Sequence, residues 1–283
     1  MPRLPYALLA ASALAACAST GGHSDAQSAA NAPQARNEEG RSHHARAERQ
    51  SAQDRAPRID HRARAQIGRE EMLTQMAYWA GEYQTFPDDL EAAQKFAEAL
   101  RLGGRFDRAA QVSGEALQRF PDDRPLMRSY GLAQIAAKHP QEALRPLALL
   151  AQADAQDWKA RSSLGVALDE LGRFTEARRA YQEALALHPD DPGLLTNLGM
   201  SHLLANEPDQ AEPILRQAAA LPNAPPQARQ NLAIAVALQG RFDEAEQLER
   251  IDLPPDVAAA NMAYLRGLLS DPRRWGDMRQ GRS

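Results

Sequence analysis

Residues 161–192 read RSSLGVALDELGRFTEARRAYQEALALHPDDP, and this stretch decides the fold. Leu164, Ala167, Leu168 and Leu171 recur at three- and four-residue steps, the period of one buried helical face. Gly172 follows the last of them, where a helix C-terminus calls for a residue that tolerates positive φ. Phe174 restarts the pattern, which continues through Ala177, Tyr181, Ala184 and Leu185. The run His188-Pro189-Asp190-Asp191-Pro192 stops it, because proline cannot continue a helix and aspartate caps the next one. The spacing predicts two short amphipathic helices joined by a tight turn. Gly165 and Ala177 are the small residues that let the two approach closely.

A hairpin of this size cannot bury its own apolar faces and needs neighbours built like it. They are present at a step of 34 residues. The column of Gly165 reads Ala97, Gly131, Gly165, Gly199, Ala233, and that of Ala177 reads Ala109, Ala143, Ala177, Ala211, Ala245. The residue before the first column is always large: Phe96, Tyr130, Leu164, Leu198, Leu232. The turn column reads Gly104, Lys138, Gly172, Asn206, Gly240. Two residues further on stand Phe106, Pro140, Phe174, Pro208 and Phe242. These columns resemble the tetratricopeptide repeat (TPR), which implies an all-α solenoid, a right-handed superhelix of helix-turn-helix units.

The solenoid is expected over residues 65–270. The helical pattern begins at Ala65 and runs through Ile67, Met72, Met76, Trp79 and Tyr83, reading as a second helix whose first helix is missing. Full repeats follow at about 89–122, 123–156, 157–190, 191–224 and 225–254. The second and fourth are degenerate, with Lys138-His139-Pro140 and Asn206-Glu207-Pro208 at their turns. Pro140 and Pro208 suit the first turn of a helix, whereas Pro146 and Pro213 lie deeper and predict distortion. The fifth repeat ends early at Pro254-Pro255. A last helix from Asp256 to Leu269, apolar at Val257, Met262, Leu265, Leu268 and Leu269, then covers the open end. Residues 271–283 are polar and read as a loose tail.

Residues 1–17, MPRLPYALLAASALAAC, have a basic start, an apolar stretch and a cysteine, which is signal-peptide organisation. Leu14-Ala15-Ala16-Cys17 resembles the lipobox of bacterial lipoproteins. The resemblance implies cleavage before Cys17, a covalent lipid on its thiol, and, with Ala18 following, sorting to the outer membrane. Residues 18–64 hold no apolar residue larger than alanine before Ile59 and are expected to form a disordered tether. About 45 flexible residues reach roughly 35–40 Å. Cys17 is the single cysteine, so no disulfide framework is available. No apolar run approaches the roughly 18–20 residues that a membrane-spanning helix needs.

A formal net charge of −4 carries no basic bias toward nucleic acid. The sequence lacks HExxH, GxSxG and a phosphate-binding glycine loop. His139, His188 and His202 fall in different repeats, and the scattered His23, His43, His44 and His61 have no fixed second shell for a metal. Asp122-Asp123 and Asp190-Asp191 look like paired carboxylates, yet each precedes a new helix and reads as a cap. The expectation is no catalytic residue, no metal, and no cofactor beyond the lipid on Cys17.

Binding is the credible activity, because stacked repeats build a concave groove lined mainly by first helices. In the TPR family, ligand-facing positions fall just after the Gly/Ala column, one turn further on, and three residues before it. Carried onto this chain the columns read Glu98, Leu132, Val166, Met200, Ile234, then Arg101, Ile135, Asp169, Leu203, Ala237, and Gln94, Arg128, Ser162, Thr196, Gln230. The middle repeats give the candidate groove: Arg128, Leu132, Ile135, Ser162, Val166, Asp169, Thr196, Met200 and Leu203. The Lys/Asn/Arg clamp of chaperone-binding TPR domains is not recognisable. The strip of Leu132, Ile135, Val166, Met200 and Leu203 suits an apolar peptide or amphipathic helix. The competing reading is that these side chains pack against neighbouring second helices.

The C-terminal segments Gln230-Asn231-Leu232-Ala233, Leu238-Gln239-Gly240-Arg241-Phe242-Asp243-Glu244-Ala245-Glu246 and Ala260-Asn261-Met262-Ala263-Tyr264-Leu265-Arg266, with the lipoprotein leader, resemble TadD-like lipoproteins of the tight-adherence (Tad/Flp) pilus system. The resemblance implies a non-enzymatic, outer-membrane-anchored, periplasm-facing scaffold or pilotin, with protein partners in the pilus and secretin machinery. Two alternatives stay open: a general periplasmic TPR adaptor in envelope assembly, or a TPR regulatory arm of a cell-wall or protease enzyme.

Overall fold

The computed structural model describes residues 59–270. The leader, Cys17, most of the expected tether and the tail from 271 lie outside these residues. The described residues form thirteen helices: α1 His61–Ile67, α2 Met72–Thr85, α3 Leu90–Leu102, α4 Phe106–Arg119, α5 Arg124–Ala136, α6 Pro140–Ala153, α7 Trp158–Glu170, α8 Phe174–Leu187, α9 Pro192–Leu204, α10 Pro208–Ala220, α11 Pro226–Leu238, α12 Phe242–Glu249 and α13 Pro255–Ser270. Five antiparallel pairs, α3–α4 through α11–α12, are the five expected repeats.

Each repeat is closed by the same local chemistry. The turn column has positive φ throughout: Gly104 72°, Lys138 65°, Gly172 72°, Asn206 62° and Gly240 84°. In the third repeat Arg173 N–H donates to Leu168 C=O at 2.9 Å and Gly172 N–H to Asp169 C=O at 2.9 Å. These are the paired bonds of a Schellman motif. The other four turns repeat both bonds, so Lys138 and Asn206 adopt glycine's conformation without being glycine. The second aspartate of each Asp-Asp pair is the expected cap. The Asp123 and Asp191 carboxylates accept from Leu126 N–H and Leu194 N–H at 2.8 Å. Asp89 and Asp157 act alike toward Ala92 and Ala160.

Within each hairpin the Gly/Ala column sets the separation. A Cβ built on Gly165 would stand 2.5 Å from the Tyr181 ring, one on Gly199 2.5 Å from Leu215, and one on Gly131 2.8 Å from Leu147. These partners lie sixteen residues on. Where the column is alanine, the corresponding residues are Ser113 and Glu249. The buried core is a chain of clusters that hand over from one repeat to the next, rather than one central core.

Three expectations need correction. The polar segment expected to run to residue 64 gives way earlier to α1, which is capped by Asp60 and is the first helix thought to be missing. Ala63, 34 residues before Ala97, stands in the Gly/Ala column. α1 is held by Ile67, buried in the first apolar cluster, and by charge. The Arg64 side chain is only 4% exposed and pairs with Glu82, Asp89 and Glu91. Its guanidinium also lies 5.5 Å from the Trp79 ring centre, within reach of a cation–π attraction. Second, α6 and α10 run without interruption through Pro146 and Pro213. Third, α13 buries Ala258, Met262, Leu265 and Leu268 but turns Val257 outward. It packs on α11 and α12 as the first helix of a sixth unit would, with Gly267 in the column 34 after Ala233.

Candidate functional site

Successive first helices touch one another, α3 on α5, α5 on α7, α7 on α9 and α9 on α11, with no comparable contact between successive second helices among the described residues. The more tightly spaced layer lies inside the curve, so the first helices form the concave face. Between α3 and α5 this face opens into a depression of about 430 Å³, with Leu132 on its wall.

The sequence-selected residues divide into two groups. Leu132, Ile135, Val166 and Met200 are half-buried, each in the position just after the Gly/Ala column or one turn on. The others are engaged within the solenoid. Arg128 pairs with Asp157, the capping residue of the next repeat, just as Gln94 Nε2 donates to Asp123 at 2.8 Å one repeat earlier. Ser162 Oγ accepts from Asn197 Nδ2 at 3.4 Å, and buried Thr196 donates to Pro192 C=O at 2.6 Å within its own helix.

Leu203 and Asp169 leave the list of groove contacts. Leu203 is fully enclosed in the cluster of Ala211, Leu215, Leu232 and Val236, because the fifth repeat closes over it. The Asp169 carboxylate is buried between the third and fourth repeats. It accepts from Tyr181 Oη at 2.9 Å and from Ser201 Oγ at 2.7 Å. Burial pushes its pKa up to about 6, against the opposing pull of the Ser201 and Tyr181 hydrogen bonds and of Arg178, because desolvation disfavours the charged form. It is a polar tie between repeats.

The structure also adds residues. Leu204 and Leu238 are half-buried on α9 and α11 and, beside Ile234 of the column just after Gly/Ala, carry the apolar strip into the last repeats. Their signal was readable five residues after the Gly/Ala column, where Leu102, Leu204 and Leu238 recur at multiples of the repeat. Chemically the face offers apolar contact flanked by fixed charge. Among the described residues no cluster of His, Cys, Asp and Glu is arranged to hold a metal, and no helix is long and apolar enough to cross a membrane. His188, at the end of α8, packs a tilted ring against Trp158, with ring centres 4.9 Å apart.

Comparison with known proteins agrees with this architecture. The family model for the tetratricopeptide repeat matches residues 131–192, 162–228 and 196–258. A TPR repeat-containing protein of Pseudomonas aeruginosa is 31% identical over 125 residues, 43% of this chain and 21% of that protein, so the chain spans about a fifth of its relative's length. A thermophilic TPR protein of Thermus thermophilus superposes with a TM-score of 0.53 at 23% identity, over 62% of this chain and 97% of the other. MamA from Desulfovibrio magneticus RS-1 gives 0.51 at 20% identity, over 56% and 89%. The family matches span residues 131–258, and over the described residues the 34-residue columns, the five Schellman turns and the layered helix pairs are those of a tetratricopeptide-repeat fold.

Proposed function

We propose that this chain is a non-enzymatic scaffold, anchored by a lipid on Cys17 at the periplasmic face of the outer membrane, that holds an apolar peptide or amphipathic helix of a Tad/Flp pilus secretion component. The observation that carries the binding reading is the apolar strip of Leu132, Ile135, Val166, Met200, Leu204, Ile234 and Leu238 on the inner face. Half-buried side chains in register along a rigid curve suit the helix-in-groove mode, in which anchors recur every three or four residues of the ligand. The anchor is supported by the Leu14-Ala15-Ala16-Cys17 sequence, and the pilus assignment by the resemblance of the C-terminal segments to TadD-like lipoproteins.

The test is recovery of the lipidated protein from membranes with and without a Leu132→Asp/Met200→Asp double change. Secretin among the partners of the unaltered protein, lost in a double variant that folds normally, is the expected result. Absence of secretin counts against the pilus assignment, and full retention by the double variant removes the groove. A Cys17→Ser variant still found in the outer membrane contradicts the anchor.

A further inference from the structure

The apolar strip ends at the first two repeats in a region of opposite character. The depression between α3 and α5 is lined by four cationic side chains, Lys95, Arg101, Arg124 and Arg128, against one carboxylate, Glu98. Internal pairing uses up half of the positive charge: Lys95 holds Glu98 at 3.2 Å and Arg128 holds Asp157. Arg101 and Arg124 have no carboxylate partner among the described residues. Arg124 reaches only the Ala153 carbonyl, at 3.2 Å, and Arg101 Nε is enclosed without a hydrogen-bond acceptor. A guanidinium fork is built for bidentate contact with carboxylates, and a buried N–H left unmade is costly. The half-buried Leu132 lies in the same depression, and Leu102, beside Arg101, is 56% exposed. This local excess of positive charge stands in a chain whose net charge is −4.

We infer that the groove reads polarity in its ligand: a segment whose acidic end sits on Arg101 and Arg124 over the first two repeats, and whose apolar body runs along α7, α9 and α11. The inference rests on the groove reading and adds to it the chemistry and direction of the occupant. Three helix-to-helix steps of about 9 Å from α5 to α11 span roughly 27 Å, matched by a helix of about 18 residues.

The probes are fluorescein-labelled synthetic peptides with a leucine-rich amphipathic body preceded by glutamates, by glutamines or by lysines, titrated by anisotropy against the purified protein. The glutamate peptide is expected to bind about tenfold tighter than the glutamine peptide, with the preference shrinking as salt is raised. Arg101→Gln and the more exposed Arg124→Gln are each expected to erase much of that preference and to leave the glutamine peptide unchanged. Helical circular dichroism confirms that each variant folds. Met200→Asp is expected to weaken both peptides alike. Equal binding of glutamate and glutamine peptides, or arginine variants that behave as the parent, overturns the inference while Met200→Asp still reports on the groove. Binding of none of the three peptides overturns the groove reading and the inference with it.

Discussion

The Tyr181 ring occupies the space where a side chain on Gly165 would begin: a Cβ there would come within 2.5 Å of it. The same relationship joins Gly199 to Leu215 and Gly131 to Leu147, so the column is small because the second helix delivers a large side chain into it. Helix propensity alone expects Gly→Ala to stabilise by about 1 kcal/mol. Packing expects overfilling to cost about 1–3 kcal/mol. We expect packing to win, with Gly199→Ala lowering the urea midpoint. Leu215→Ala alone costs about 2–5 kcal/mol through its cavity. In the Gly199→Ala background it is expected to cost at least about 1 kcal/mol less, a coupling that a double-mutant cycle measures.

Asp169 makes stability depend on pH in the direction opposite to most carboxylates. Its folded pKa, about 6, lies above the ordinary value of 3.8, so the folded state binds the proton more tightly. Stability from this group is therefore greatest below about pH 4 and is lost as pH rises from about 4 to 6, by roughly 3 kcal/mol in full. Between pH 5 and 7.5 the loss is roughly 1–1.5 kcal/mol. Asp169→Asn keeps an acceptor for Tyr181 Oη and a polar partner for Ser201, but carries no charge. It is expected to flatten that slope in urea titrations and to leave the protein at least as stable at pH 7.5. Glu249, also raised by burial, contributes the same sign and is unaffected by this change.

Lys138 holds a left-handed backbone conformation, with φ 65°. That region costs an L-residue about 1–2 kcal/mol. Lys138→Gly relieves the cost, gives up some unfolded-state entropy, and removes an exposed ion pair to Glu170. The expected net gain is about 1 kcal/mol, read as a higher urea midpoint. Asn206→Gly is expected to gain less, since asparagine tolerates this region better.

Arg64 ties α1 to three carboxylates. Burial raises the Asp89 carboxyl, but the Arg64 hydrogen bond and Ala92 N–H outweigh it and hold it below its usual range. Arg64→Ala leaves Glu82 and Asp89 without their counter-charge. Amide exchange in α1 and the first turns of α2 is expected to accelerate, with α5–α11 unchanged.

The repeat was legible because a 34-residue period leaves the same physical demand at each step: a small residue under a large one, a left-handed turn, an aspartate before the next helix. The start of the solenoid was less legible. Residues 61–64 look polar, and a reading based on apolar periodicity does not register an arginine buried by its ion pairs; the clue was Ala63 in column. The inner-face columns follow from the repeat, but exposure within them depends on the neighbouring unit. Ile135 stays half-exposed while Leu203, in the same column, is sealed by Leu232 and Val236. Arg101 stands in an inner-face column by sequence, but its meaning, like that of Arg124, comes from which carboxylates the fold leaves out of reach.

The proposed holding of partners on the inner face has a direct test. A photo-crosslinking residue at Met200, compared with one at exposed Gln182 on α8, tests this in cells. A specific adduct with a secretin-machinery component is expected from position 200 and none from position 182. An adduct of equal strength from both positions, or from 182 alone, would contradict it.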